Sequence, residues 1–86
     1  MDHFARRLAE SLRKLQQEAG MTQKEMAKRL GMSHATLHRL QRGDHNATLR
    51  TLEELCAALG CSPGDLFEPG RLKLPPHRRM RPANRT

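Results

Sequence analysis

The sequence predicts an all-α domain of four or five helices. Leucine, methionine and alanine recur at three- and four-residue spacing through residues 8–59, the pattern of helices that bury one face. A glycine follows each of the first four periodic segments, as a helix C-cap does. Serine or threonine precedes all later segments, where an N-cap is needed. No stretch alternates apolar and polar residues between turn signals, so strands are not expected.

The elements follow in order from these start and stop signals. Thr22-Gln-Lys-Glu25 has the pattern of a capping box at the start of the second helix. Ser62-Pro-Gly-Asp65 places proline at a first helical position and an acid in the first turn, which favours a short fifth helix. The first helix ends before Gly20, and the next three are predicted over 22–30, 33–42 and 48–59.

Length and composition exclude several classes of protein. A chain of 86 residues without Trp or Tyr makes one small domain with a leucine-rich core, too small for a deep catalytic pocket. No catalytic constellation or phosphate-cradling glycine loop appears, so we expect neither enzymatic activity nor a cofactor. The chain has no apolar run of about 18 residues and no signal-peptide core. We therefore expect no membrane association and a cytoplasmic, nucleoid-associated protein.

The positive charge is unevenly distributed. Residues 71–86 contain six Lys or Arg and no acid, and so supply most of the net charge of +7. We expect a folded domain over residues 1–68 and a basic, Pro/Arg-rich, disordered tail over 69–86. Within the domain, residues 22–50 carry six basic and two acidic side chains, whereas 51–70 carry four acids and no Lys or Arg. One side of the domain is therefore expected to be basic.

Residues 22–42 are predicted to form two short helices joined by a tight turn. Only Gly31-Met32 separates them, which forces the helices to cross steeply. Ala27 provides a small side chain at the crossing, and Gly31 can adopt the left-handed conformation of the turn. Leu37 and Leu40 point inward from the second helix of the pair. This arrangement predicts a helix-turn-helix motif.

The outward face of the second helix in this motif has the chemistry of a base-reading surface. His34, Ala35, His38 and Arg39 lie on it. Arg can bind guanine through two hydrogen bonds, His can bond base edges or phosphates, and Ala can meet a thymine methyl. The helix N-termini capped by Thr22 and Ser33 can receive phosphate oxygens.

Residues 12–67 resemble the Cro/C1-type (XRE-like) helix-turn-helix family of phage repressors and bacterial regulators. The resemblance rests on LRKL at 12–15, GMTQKEMAKRLG at 20–31, SHATLHRLQRG at 33–43, TLRTL at 48–52 and LGCSPGDLF at 59–67. It implies a five-helix, lambda-repressor-like bundle that binds DNA as a two-fold dimer on an inverted repeat. It also places base reading on His34, Ala35, His38 and Arg39. The residues expected at phosphates are Thr22, Gln23, Lys24, Ser33, Thr36, Arg42 and Asn46.

The sequence departs from the family at one pair of positions. Many members have an Arg late in the first helix and a Glu late in the third, which form a partly buried ion pair. Here these positions hold Gln16 and Gln41. Both fall on inward faces, so we predict a neutral hydrogen bond between the two amides, which avoids burying two charges.

Several other features have a structural interpretation. His34 and His38 have the i, i+4 spacing of helix metal ligands, but no third ligand follows, so no metal site is expected. Cys56 and Cys61 are expected to fill the core as small apolar side chains. The basic tail is either solvated or adds non-specific phosphate contacts. Arg6, Arg7, Arg13 and Lys14 are expected to form the solvated face of the first helix.

The sequence therefore predicts a sequence-specific regulator of transcription that binds double-stranded DNA, a repressor acting as a homodimer. Candidate dimer contacts are Leu66, Phe67, Leu72 and Leu74, which lie at or beyond the end of the bundle. One alternative is an antitoxin or restriction-modification controller with a co-encoded protein partner. Another is a protein-interaction adapter of the coactivator type, in which the third helix would bind protein instead of DNA.

Overall fold

The computed structural model describes residues 3–43 and 47–74 of the chain, and all regular structure in these residues is helical. The predicted all-α class with five helices is confirmed. The elements are α1 (His3–Ala19), α2 (Gln23–Leu30), α3 (His34–Arg42), α4 (Leu49–Leu59) and α5 (Pro63–Leu66).

The helices begin and end where local side-chain chemistry predicts. At the start of α2, the backbone N–H of Glu25 donates to Thr22 Oγ1 over 3.1 Å, and the Glu25 carboxylate accepts from the Thr22 N–H over 2.9 Å. These reciprocal bonds are the predicted capping box. Ser33 and Thr48 cap α3 and α4 through their hydroxyl oxygens. At α5, the Asp65 carboxylate accepts from the Ser62 N–H over 3.3 Å.

The core lies between α1 and the other four helices. Leu12, Met26, Leu37 and Leu55 are fully buried, one from each of the four longer helices. Helix α1 packs against α3 and α5, and α2 packs against α3 and α4. Leucine supplies most of the core, as the composition indicated, so α3 is anchored by apolar contacts with two neighbouring helices.

The C-terminal segment corrects two of the four expected dimer contacts. Leu66 and Leu72 are only 0% and 2% exposed and belong to the core, so neither is available to a second copy. Phe67 and Leu74 are half-buried and also pack against this core. The apolar residues that seemed to lack a partner therefore complete the monomer. The predicted tail begins at residue 69, yet the chain remains packed through Leu72.

In the part of the chain that the structure covers, no helix is both long enough and apolar enough to cross a membrane. The remaining tail residues, 75–86, lie outside the described residues, as does Asn46.

Candidate nucleic-acid interface

The predicted base-reading residues lie together on one exposed face of α3. His34, Ala35, His38 and Arg39 are all exposed, and their i, i+1, i+4, i+5 spacing places them on one side of a helix. The opposite side of α3 carries Leu37, Leu40 and Gln41, which are buried. The helix is therefore fixed by its inner face and presents two imidazoles, a guanidinium and a methyl group outward.

The turn between α2 and α3 fixes the angle of this face. Gly31 has φ = +73°, the left-handed region that glycine adopts without the steric cost of a Cβ. The Met32 N–H then donates to the Ala27 carbonyl over 3.0 Å and closes the end of α2. Ala27 is buried, which allows the two helices to approach closely.

The predicted phosphate-contacting residues border the exposed face of α3. Thr22, Lys24, Ser33 and Arg42 are exposed, and Gln23 is half-buried. The hydroxyls of Thr22 and Ser33 are used as helix caps. The first backbone N–H groups of α2 and α3 lack intrahelical acceptors, as at any helix start, and can donate to an anion.

Thr36 is already engaged within the protein. Its backbone N–H donates to Ser33 Oγ over 3.1 Å, and its hydroxyl accepts from the Ser33 hydroxyl over 2.8 Å. The side chain is half-buried, so its main contact is with the N-cap of α3. The Thr36 hydroxyl would therefore have to donate to a phosphate while it accepts from the Ser33 hydroxyl.

The predicted hydrogen bond between Gln16 and Gln41 is confirmed. Gln41 is 5% exposed, and its Nε2 donates to Gln16 Oε1 over 2.9 Å. The sequence did not predict that this pair continues outward. Gln23 Nε2 donates to Gln41 Oε1, and Gln23 Oε1 lies 2.7 Å from His34 Nε2. A chain of side-chain hydrogen bonds therefore joins the interior to the exposed face of α3.

Arg6, Arg7, Arg13 and Lys14 are all exposed, as expected, and two of these arginines also bind backbone carbonyls of other elements. The Arg13 guanidinium donates to the backbone carbonyl of Gln41, near the end of α3. Arg7 Nε donates to the Phe67 carbonyl over 2.9 Å. Arginine side chains favour the carboxyl ends of helices because the last carbonyl groups have no intrahelical donor. Arg13 therefore helps to hold α3 against α1, a contact that spacing along α1 alone does not predict.

The thiols lie apart from this surface and differ in part from the expectation. Cys56 and Cys61 are free and half-buried, not fully buried, and both pack against the core. Burial, with the nearby Cys56 thiol as a further cause, raises the pKa of the Cys61 thiol to about 11. Within residues 3–43 and 47–74, no three His, Cys, Asp or Glu side chains form a group that could hold a metal ion.

Together, the closely joined α2 and α3, the capped helix starts and the exposed polar face of α3 define a helix-turn-helix DNA-binding domain. Comparison with known families gives the same class. Residues 11–69 match the model of the Cro/C1-type helix-turn-helix DNA-binding domain. The chain belongs to this family and is a helix-turn-helix transcriptional regulator.

Similar proteins carry the same description. Over 56 residues the chain is 45% identical to the HTH-type transcriptional regulator y4dJ of Sinorhizobium fredii, covering 65% of this chain and 73% of that protein. Over 49 residues it is 43% identical to the HTH-type transcriptional regulator YozG of Bacillus subtilis, covering 56% of this chain and 58% of that protein. It is also 39% identical over 62 residues to the HTH-type transcriptional regulator DdrOP3 of Deinococcus deserti, covering 72% of this chain and 48% of that protein.

A solved structure shares the fold. The crystal structure of a hypothetical transcription factor, NHTF, from Neisseria superposes with a TM-score of 0.65. The two chains are 26% identical, and the alignment covers 79% of this chain and 78% of the other.

Proposed function

We propose that this protein is a sequence-specific repressor that binds an inverted repeat in double-stranded DNA as a homodimer. The observation that carries the proposal is the exposed face of α3, where His34, Ala35, His38 and Arg39 lie side by side. An α-helix fits the major groove of B-DNA, and these side chains match the groups exposed there. The family resemblance supports the dimer and the inverted repeat.

Each residue of this face has a proposed role that follows from its chemistry. Arg39 donates two hydrogen bonds to guanine O6 and N7, and Ala35 contacts a thymine methyl. His34 and His38 bind base edges. Gln23, Lys24 and Arg42 bind phosphates on either side, together with the N–H groups at the capped starts of α2 and α3. The phosphate contacts set the position of α3 in the groove, and the base contacts select the sequence.

The proposed mechanism of repression is steric. A two-fold dimer places its two α3 helices in successive major grooves, about 34 Å apart. A protein bound in this way over a promoter blocks the polymerase without any catalytic step. The proposed activity is therefore binding alone, and it requires no cofactor.

Charge favours DNA over a protein partner for this surface. Residues 22–50 carry six basic and two acidic side chains, and Glu25, one of the two acids, is held in the α2 capping box. A basic surface attracts the phosphate backbone whatever the base sequence. An adapter that binds protein through α3 does not require a basic surface.

Selection of bound sites from a random DNA pool, followed by titration at two salt concentrations, tests the proposal. We expect an enriched inverted repeat, bound on the order of a thousandfold or more tightly than random DNA. The affinity for both DNAs should fall as salt rises, because bound phosphates release counterions. Weak, salt-sensitive binding without enrichment would overturn the proposal and favour the adapter. Enrichment only in the presence of a co-encoded protein would favour the antitoxin or controller alternative.

A further inference from the structure

Three glutamine amides and one imidazole ring form a continuous hydrogen-bonded chain from the interior to the exposed face of α3. Gln16 Nε2 donates to the backbone carbonyl of Met21 over 3.1 Å. Gln16 Oε1 accepts from Gln41 Nε2 over 2.9 Å. Gln41 Oε1 accepts from Gln23 Nε2 over 2.5 Å. Gln23 Oε1 lies 2.7 Å from His34 Nε2. The chain thus ends on a residue of the proposed base-reading face.

The backbone carbonyl at the inner end fixes the direction of every bond in this chain. A carbonyl oxygen can only accept, so the Gln16 amide must turn its NH2 group toward Met21. Gln16 then presents its oxygen to Gln41, and Gln41 presents its oxygen to Gln23. Gln23 is left with its oxygen facing the His34 ring. A reversed amide at any step would set two donors or two acceptors against each other, which costs a buried hydrogen bond.

We propose that this chain determines which base His34 selects, an inference that rests on the proposed function. The Gln23 oxygen requires a hydrogen on His34 Nε2, so the neutral ring carries its proton there and Nδ1 is an acceptor. In the major groove, cytosine N4 and adenine N6 offer hydrogen-bond donors, whereas guanine offers only the acceptors O6 and N7. His34 therefore selects an amino group and disfavours guanine.

The chain also assigns a role to residues that do not reach DNA. Gln41 is buried, so it acts as a positioning residue through Gln23. The Gln23 amide has two N–H hydrogens; one donates to Gln41, and the other can donate to a phosphate. Gln23 can therefore bind the DNA backbone and orient His34 at the same time.

Gln23→Lys reverses the last bond of the chain. The lysine ammonium can only donate, so it satisfies Gln41 Oε1 and forces His34 Nε2 to accept. The ring proton then moves to Nδ1, which becomes a donor suited to guanine. Gln17→Lys is the matched control, because it makes the same substitution at an exposed glutamine of α1 that takes no part in the chain. Thermal unfolding of each variant verifies the fold.

Two measurements test the proposal: the position of the His34 ring proton and the base preference. Nitrogen-15 NMR of the full chain at about pH 8.5, where an ordinary imidazole is neutral, gives the position of the ring proton. We expect it on Nε2 in the wild type and in Gln17→Lys, and on Nδ1 in Gln23→Lys. His38, one turn further along α3, serves as the internal reference. This measurement needs no DNA, so its outcome is independent of the proposed function.

Base preference is then measured at the position whose selectivity is lost in His34→Ala. We expect the wild type and Gln17→Lys to prefer cytosine over guanine there by on the order of tenfold, and Gln23→Lys to reverse the preference. Because the affinities for the cytosine and guanine sites are compared within one variant, any change in phosphate binding cancels in their ratio. A wild-type preference for guanine, or a Gln23→Lys variant with unchanged ring proton and unchanged ratio, would overturn the inference. Failure to find any enriched site would instead overturn the proposed function, and the base preference with it.

Discussion

At the residue scale, the most informative position is Gln41. A charged pair at Gln16 and Gln41 would lose hydration on both side chains, a cost that the attraction between them only partly offsets. Two neutral amides avoid that cost, and the hydrogen bond between them contributes about 1 kcal/mol. Gln41 uses both functions of its amide, because it donates to Gln16 through Nε2 and accepts from Gln23 through Oε1.

Cys61 provides a pH-dependent prediction at the same scale. Its pKa is raised to about 11, mainly by burial and then by the neighbouring Cys56, and the thiolate is the reactive form. We expect alkylation of Cys61 in the folded protein at pH 8 to be at least about tenfold slower than in denaturant. The rate should rise with pH beyond the range in which an ordinary thiol levels off. Alkylation measured peptide by peptide in the same sample separates Cys61 from Cys56. Equal rates in folded and denatured protein would contradict the raised pKa.

Individual contacts were predictable only where both partners were fixed by helical register. Helical spacing places Gln16 and Gln41 on inward faces, and the ion pair that many family members have at these positions implied that the two side chains meet, which is confirmed. Arg13 is exposed, as expected, but it also binds the carbonyl of Gln41, which was not predicted. That contact depends on where the end of α3 lies relative to α1. Periodicity within α1 does not contain this information.

At the element scale, helix boundaries follow from local chemistry. The side chains of Thr22, Ser33 and Thr48 accept backbone N–H groups at the starts of α2, α3 and α4. Glycine with positive φ follows α2 and α3. These interactions involve residues within about one turn of each other, and for that reason the sequence alone was sufficient to predict them.

Gly31→Ala tests the turn of the helix-turn-helix motif. A Cβ at Gly31 would meet no atom within 4 Å, so the cost comes only from its φ of +73°. We expect a loss of about 1–2 kcal/mol in the free energy of unfolding. Gly64→Ala is the control, because Gly64 lies within α5 without a positive φ and its Cβ would have room. That change should be neutral or stabilise by up to about 1 kcal/mol. Denaturant unfolding measures both, and equal effects would contradict a strained turn.

At the scale of the whole molecule, the C-terminal segment completes the core. Residues beyond Phe67 have the composition of a tail, yet Leu72 is buried in the same core cluster as Leu66. Phe4 and Phe67 also form an edge-to-face pair with ring centroids 5.3 Å apart, joining the two ends of the domain. Contacts between residues this distant in sequence are set by the packing of all five helices. Local patterns therefore placed Leu66 and Leu72 on a dimer surface, although both are buried in the monomer.

Leu72→Ala tests whether the domain extends past residue 68. Leu72 is 2% exposed, and deleting a buried leucine side chain costs about 2–5 kcal/mol. Leu49→Ala is the same change at a leucine that is 78% exposed, where we expect a shift within about 0.5 kcal/mol. Thermal or denaturant unfolding of the two variants gives the comparison. Similar effects in both would show that the segment after α5 contributes nothing to the fold.

The central claim is that the outer face of α3 reads base sequence, and Arg39→Ala tests it most directly. Binding of the wild type, Arg39→Ala and Arg42→Ala should be measured on the selected site and on every single-base variant of it. We expect Arg39→Ala to lose about 1–3 kcal/mol of binding free energy on the selected site. It should also lose the preference for guanine at one position, while the preferences at the other positions stay unchanged. Arg42→Ala should weaken binding to all DNA sequences by a similar factor, because a phosphate contact does not depend on the base sequence. Unchanged preference and affinity in Arg39→Ala would contradict the claim.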